Sequence, residues 1–381
     1  MKRSTERILT THVGSLARPH DLLELVQKQV NGEPYDEQAL AGITRRAVAD
    51  VVRKQADNGV DVVDDGEQSK SGFYAYLAQR LGGLEVRPSA RLDDRSPWRV
   101  ELDAFPEYYK EYLGDKNRMS VQMPPLVCTS PLTYTGQKAL RTDLDNLKAA
   151  LQGVQVEEVF VPSLAPRQLG VNEYYPSAED FLRALGEAMR EEYLAIVDAG
   201  FILQIDDPWL TGFYAGEPHP VQPETHIDII NESLRGIPPD RVRYHTCYGI
   251  NEGPRVHDVP LKDIVHLLLR INAQAYSFEA ANARHQHEWH VWEDVKLPEG
   301  KVLIPGMITH ASNIVEHPEL IADLLVTYAN LVGKENVIAG ADCGFSSQAT
   351  FSPEVHPTVV WAKFQALAEG AQLASQRLWR T

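Results

Sequence analysis

The sequence predicts an α/β protein built as a parallel (β/α)8 TIM barrel, and three observations predict it. Short apolar runs alternate with amphipathic helical stretches along 381 residues, the pattern of a parallel sheet whose strands are joined by helices. Eight such runs can be picked out, the number that closes a barrel in a chain of this size. Polar residues able to do chemistry gather at the carboxyl ends of those runs, where barrels keep their function. A doubly wound open sheet is the alternative, but no Gly-x-Gly-x-x-Gly follows the first run.

The first strand covers 8–15 and ends in Gly14-Ser15, after which Pro19 opens a helix over 19–29. A long helix over 36–58 carries Ile43, Ala47, Val51 and Val52 on one side. Gly59 then leads into the second strand, 60–67, the helix-Gly-strand grammar of a βα repeat. From about 82 to 125 the rhythm breaks. Mixed charge, Pro88, Pro97 and Pro106, and the cluster Phe105, Tyr108, Tyr109 and Tyr112 mark an inserted, cap-like segment after the second strand. It is expected to cover the carboxyl-terminal face of a single barrel domain, 1–381, and to run on through 126–131, where Cys128 reads as a core residue. The remaining strands are 157–162, 201–206, 242–247, 275–279, 302–306 and 336–342, with helices over 177–199, 226–235, 261–271, 318–332 and 355–374.

Composition narrows the function. Lys+Arg number 37 against Asp+Glu 53, a net charge of −16, which argues against nucleic acid or an anionic membrane as the main partner. A small-molecule substrate fits better. A hydrophobic fraction of 43% supports a large core. Three cysteines, an odd number, behind a start with no apolar signal segment, point to the reducing cytoplasm.

Two of those cysteines sit at strand ends. His245 and Cys247 are spaced i, i+2, so in a strand they face the same way while Thr246 turns aside. Cys343 follows the eighth strand and Glu279 ends the sixth. Imidazole, thiolates and a carboxylate suit a tetrahedral Zn2+ site. On spacing alone, two buried free cysteines and a core histidine remain an equal reading. Ser15, Glu67, Asp206, Asp207 and His310 fall at or just beyond other strand ends. The loop with His285, His287, His290, Trp289 and Trp292 reads as a solvated or lid loop after the sixth strand.

The motifs Thr11-His12-Val13-Gly14-Ser15, Asp65-Gly66-Glu67, Gln204-Ile205-Asp206-Asp207-Pro208, His245-Thr246-Cys247, Phe278-Glu279, Pro305-Gly306 with His310, and Asp342-Cys343-Gly344 occur in this order along nearly the whole chain. With them the chain resembles the catalytic, carboxyl-terminal barrel of cobalamin-independent methionine synthase. That superfamily also holds uroporphyrinogen decarboxylase and the zinc-dependent coenzyme M alkyltransferases. The resemblance implies a Zn2+ cofactor held by His245, Cys247, Glu279 and Cys343, with Glu279 the labile ligand. It implies that Ser15, Glu67 and Asp206 hold the carboxylate and amino group of homocysteine, and that His310 is a catalytic residue helping proton transfer. The implied activity is that of a zinc-dependent S-methyltransferase in methionine biosynthesis, its partners a small-molecule thiol and a methyl or alkyl donor such as methyl-folate, a corrinoid or another methyl carrier.

Departures from the family pattern keep other readings in play. The full synthases carry a second, amino-terminal barrel that helps to hold the polyglutamylated folate, and 381 residues leave no room for one. The stretch 249–259 looks longer than in the synthases, and Asp206-Asp207-Pro208 stands where they usually have Asp-Glu-Pro. One alternative is an epoxyalkane:coenzyme M transferase-type enzyme, whose sulfonate pocket would have to come from Arg18, Arg167 or Arg284. The other is a metal-free decarboxylase-like or binding barrel, which has no need of the His-x-Cys set.

Overall fold

A computed structural model describes residues 1–73, 75–87, 99–114, 125–167, 169–212, 219–249 and 253–379. The first half holds β1 (Leu9–Thr10), α1 (His20–Val30), α2 (Glu37–Asp57), β2 (Val62–Val63), β3 (Leu81–Val86), α3 (Arg99–Ala104), α4 (Pro106–Gly114), β4 (Leu126–Tyr134), α5 (Gln137–Ala150), β5 (Glu158–Leu164) and β6 (Val171–Asn172). The second half holds α6 (Ala178–Asp198), β7 (Ile202–Asp206), α7 (Pro223–Ser233), β8 (Val242–His245), α8 (Leu261–Leu268), β9 (Ala275–Phe278), α9 (Val291–Asp294), β10 (Val302–Ile308), α10 (Pro318–Val332), β11 (Ile338–Ala341) and α11 (Pro357–Trp379).

The eight expected strands form one parallel sheet in the order β1-β11-β10-β9-β8-β7-β5-β2, and a parallel bridge between Thr11 and Val62 brings its two ends together. Strands β8, β9, β10 and β11 are buried along their whole length, because a parallel sheet wrapped in helices is covered on both faces. The helices begin where the sequence supplies caps. Asp36 accepts the N–H groups of Gln38 and Ala39 at 2.9 Å to start α2, and the Ser177 hydroxyl accepts that of Asp180 at 3.1 Å to start α6. Each such cap contributes about 1 kcal/mol.

The region after β2 differs from the expected excursion in one respect. It is bounded by strands: β3 pairs antiparallel with β4, and β6 joins β4 in parallel as a second, three-stranded sheet. Gly83, at φ +89, makes that ladder feasible, since a Cβ there would lie 2.5 Å from the Pro131 carbonyl oxygen. The helix α5 follows, burying Leu140, Leu144 and Leu147 against the barrel and restoring the βα rhythm. Cys128 is buried in the core, as expected. Pro88, Pro97 and the rest of 88–98 and 115–124 lie outside the described residues. The Glu101 carboxylate accepts the backbone N–H groups of Arg255 and His257, both at 3.2 Å, and the Tyr112 hydroxyl bonds Glu354. These partners follow β8 and β11, so α3 and α4 lie across the carboxyl-terminal face.

Inside the barrel the side chains stack in layers. Leu9, Ala275, Val302, Ile304 and Ile338 form one apolar group and Val62, Phe160 and Ile202 another, with Met1 packed against both. Arg243 is fully buried over them. Its Nη1 donates to Thr11 Oγ1 at 3.0 Å and its Nη2 to the His12 carbonyl at 2.7 Å, and the guanidinium lies 4.1 Å from the Phe160 ring centroid. Two residues farther along the chain comes His245, so the polar mouth rests on a filled interior. No helix among the described residues is long and apolar enough to cross a membrane.

Candidate metal and substrate site

The end of β8 presents alternate residues to the barrel mouth. His245 and Cys247 face inward, while Thr246 turns away and donates its hydroxyl to the Asp207 carbonyl at 2.8 Å. Cys343, just past β11, brings its Sγ to 3.2 Å from that of Cys247. One ligand atom from each of His245, Cys247 and Cys343 lies within 4.8 Å of the others, and all three residues are buried. His245 Nδ1 meets Ser277 Oγ at 3.2 Å, while Nε2 is buried without a partner. Burial, the Arg243 charge one step down the strand and His310 lower the His245 pKa to about 3, leaving the neutral imidazole that ligates metals. The neighbouring Cys247 thiol, together with burial, pushes the Cys343 thiol well up. An unpartnered buried nitrogen costs about 1–3 kcal/mol. A borderline-soft cation such as Zn2+ fits this donor set and would remove that cost.

Glu279 stands beside this trio in a second cluster, with His310 and Asp342, whose ligand atoms also lie within 4.8 Å of one another. Glu279 Oε1 accepts the Tyr248 N–H at 2.8 Å, and Oε2 accepts Asn282 Nδ2 at 2.8 Å. Arg255 Nη2 lies 2.8 Å from the same Oε2. Asp342 fixes the turn that carries Glu279: Oδ1 accepts the N–H groups of Ala280 and Ala281 at 2.8 Å, and Oδ2 accepts the N–H and Nδ2 of Asn282 at 3.0 Å. Burial, then the charge of Glu279, raises the Asp342 carboxyl pKa. Gly306 permits this packing, since a Cβ there would lie 2.0 Å from Asp342 Oδ1. His310 Nε2 is 2.9 Å from the Gly249 carbonyl and Nδ1 is buried without a partner. A carbonyl can only accept, so Nε2 carries the hydrogen and Nδ1 offers a lone pair. Burial and Arg255 lower the His310 pKa to about 4.

The remaining expected residues line other strand ends. Glu67, in the left-handed region at φ 54, places Oε1 3.2 Å from Lys70 Nζ and leaves Oε2 buried without a partner. Asp206 Oδ1 accepts Gln204 Nε2 at 2.7 Å. Burial, then repulsion from Glu67, holds its carboxyl well above the usual range. A cation between the two would relieve that repulsion. Ser15 is buried, with its Oγ 3.5 Å from Arg18 Nη1. Arg18 is anchored on the Lys70 and Ser346 carbonyls at 3.1 and 3.0 Å, and its Nη2 has no partner. Asp207, by contrast, is turned into the wall, bonded by Tyr244 Oη and by His226 Nε2, both at 2.7 Å. Arg167 lies 3.9 Å from the Trp209 ring centroid and Arg284 is exposed.

The histidine-rich loop divides. His287 and His290 are exposed, while His285 is buried between Asp258 at 3.0 Å and Glu288 at 2.8 Å. Sequence reasoning did not find Arg255, Asp342 or Lys70 as parts of the site. Asp342 lies inside the Asp342-Cys343-Gly344 motif and adjoins a candidate ligand, which was the available signal; Arg255 has none, sitting in an aperiodic loop.

The comparisons with known proteins bear out the resemblance drawn from the motifs. No protein-family model matches the chain. It is similar to curated proteins named methionine synthase. The relative from Sulfolobus acidocaldarius is 26% identical over 242 residues, 63% of this chain and 61% of that protein. One from Saccharolobus islandicus is 22% identical over 378 residues, 97% of this chain and 96% of that protein. Among solved structures, a B12-independent methionine synthase from a Shewanella species, in complex with selenomethionine, superposes with a TM-score of 0.70 at 18% identity, covering 98% of this chain and 99% of that one. The barrel is therefore the fold seen in that structure.

Proposed function

We propose that this chain is a zinc-dependent S-methyltransferase of the methionine synthase type, which takes a homocysteine-like amino thiol and turns its sulfur on a methyl donor. The observation that carries the reading is the presence at the strand ends of one barrel of His245, Cys247 and Cys343, of Glu67 with a buried, unpartnered Oε2, and of Asp206, whose carboxyl is held well above its usual range by burial and by Glu67. The relatives named methionine synthase support it. The reading takes 1–381 as one barrel domain whose inserted segment helps to form the mouth. All three cysteines are free and buried, which suits a reducing cytoplasm.

His245, Cys247 and Cys343 would hold the metal, with Glu279 as the exchangeable fourth ligand. Zinc held there supplies a substrate sulfur deprotonated at neutral pH, where a free thiol of pKa about 8.5 is mostly protonated. The chain's own residues do the rest. Glu67 Oε2 and Asp206 seat the ammonium of the thiol, and Ser15 with the free Nη2 of Arg18 seats its carboxylate, so the sulfur is aimed at the cysteine pair. As the new S–C bond forms, the bond from the methyl group to its carrier breaks, and the carrier takes up a proton. His310 Nδ1, free and buried, is the position through which the thiol proton is passed on, its pKa of about 4 suiting a relay and not a store.

The epoxide-opening alternative has one observation in its favour, since the free Arg18 Nη2 would seat a sulfonate as well as a carboxylate. Its thiol lacks an amino group, however, and leaves Glu67 and Asp206 without a purpose. Elemental analysis and zinc-edge X-ray absorption decide between them. About one zinc per chain, losing an oxygen and gaining a sulfur on addition of homocysteine, is expected; coenzyme M producing that change instead would favour the alternative. Cys247→Ser or Cys343→Ser retaining full zinc and full activity would sink both.

A further inference from the structure

Arg255 is buried although it lies in the loop between β8 and α8, at φ 55. Its Nε donates to Asp258 Oδ2 at 3.0 Å, and its Nη2 stands 2.8 Å from Glu279 Oε2. Asp258 pairs in turn with His285 Nε2 at 3.0 Å, and His285 Nδ1 with Glu288 Oε2 at 2.8 Å. Tyr248 stacks on His285 with ring centroids 3.9 Å apart and has the Arg255 guanidinium 5.6 Å from its own. Glu279, Arg255, Asp258, His285 and Glu288 thus make a row of alternating charge. The row joins the loops after β8 and β9 and ends on a candidate metal ligand. A guanidinium committed to a carboxylate decides where that carboxylate points. The Arg255 Nη2 approach is close but not aligned as a hydrogen bond, so it is a charge pair, which another cation can replace.

We infer that Arg255 is a positioning residue that competes with the metal for Glu279. The carboxylate rests on Arg255 when the substrate sulfur occupies the site and turns to the metal when it does not. The inference rests on the reading of His245, Cys247, Cys343 and Glu279 as ligands. Without the guanidinium, Glu279 keeps, among the described residues, only the neutral Tyr248 N–H and Asn282 amide as partners away from the metal, and the thiol must displace a firmer ligand.

The test uses the full chain stripped with chelator, alone and as Arg255→Gln, Arg255→Lys, Glu279→Gln and the Arg255→Gln/Glu279→Gln double variant. Zn2+ affinity is read by chelator competition, and ligand exchange by the Co2+–thiolate absorption with increasing homocysteine. With its charge partner gone from Glu279, Arg255→Gln should bind Zn2+ about tenfold more tightly and need about tenfold more homocysteine to change the Co2+ spectrum. Arg255→Lys should fall between. In the Glu279→Gln background, Arg255→Gln should change neither quantity. Unaltered affinity and homocysteine response in Arg255→Gln, or the same change with Glu279→Gln already present, overturns the role of Arg255 while leaving the metal reading intact. Should Arg255→Gln fail to fold by circular dichroism, Arg255→Lys decides alone, and no shift in it overturns the role. A parent chain that takes up neither ion overturns both.

Discussion

Replacing Asp342 by asparagine tests how the turn under Glu279 is held. The carboxylate accepts hydrogen bonds from two N–H groups on Oδ1 and from two on Oδ2, at 2.8 to 3.0 Å. An amide offers one acceptor and one donor, so whichever way it is placed, one pair of donors faces an NH2 group. Two hydrogen bonds disappear, at about 1–1.5 kcal/mol each, and the buried donors left behind keep their desolvation penalty. Asp342→Asn should therefore lower the stability of the metal-free protein by about 2–3 kcal/mol. Urea unfolding followed by circular dichroism, with the chain stripped of metal so that ligand loss cannot contribute, measures it. Midpoint and slope together should report the loss. A variant within about 0.5 kcal/mol of the parent would refute the claim that this carboxylate organises the turn.

Two further outcomes are expected. Glu67→Gln and Asp206→Asn should each raise KM for homocysteine by about tenfold, as removing one charge-assisted hydrogen bond to the ammonium would, and leave KM for the desamino thiol acid unchanged; an equal rise for both thiols would mean that the carboxylates do not seat the ammonium. His285 gives a pH signature. Burial alone would lower its pKa, but its hydrogen bonds to Asp258 and Glu288 carry it from the ordinary 6.5 up to about 9. A pKa raised on folding stabilises the protein fully below the unfolded value and ceases to do so as pH rises through the folded one. Stability should thus fall between about pH 6.5 and 9 in the parent and fall less in His285→Gln, as followed by urea midpoints; parallel profiles would contradict the pairing.

The barrel was legible because its signals are local. Each strand is a short apolar run, each helix shows one apolar side, and His245 and Cys247 share a face simply because a strand repeats every two residues. The helix α5 carries a legible signal too, in the spacing of Leu140, Leu144 and Leu147, but from the sequence the excursion runs on through 126–131 and no helix is named between it and the strand at 157. Strand β4 escaped for a different reason. Its partners β3 and β6 lie far off in sequence, and no periodicity within 126–134 reveals them. Arg255 was not legible at all. It reaches Glu279 from a loop whose course is set by the Glu101 carboxylate, 154 residues away in the chain, and no spacing rule encodes such a meeting. Asp342 acts through the turn at 280–282 and Lys70 through Glu67 and the Pro162 carbonyl, meetings that depend on how the strands align around the ring.

The packed interior below His245 has a consequence for traffic. With Phe160 and Arg243 filling the interior, the described residues close the barrel below His245, and the mouth is a harbour with α3 and α4 lying across its face. On the function proposed above, thiol and methyl carrier would berth side by side on that face, and both products would leave by it. The order in which they come and go is thus written into the architecture as much as into the chemistry.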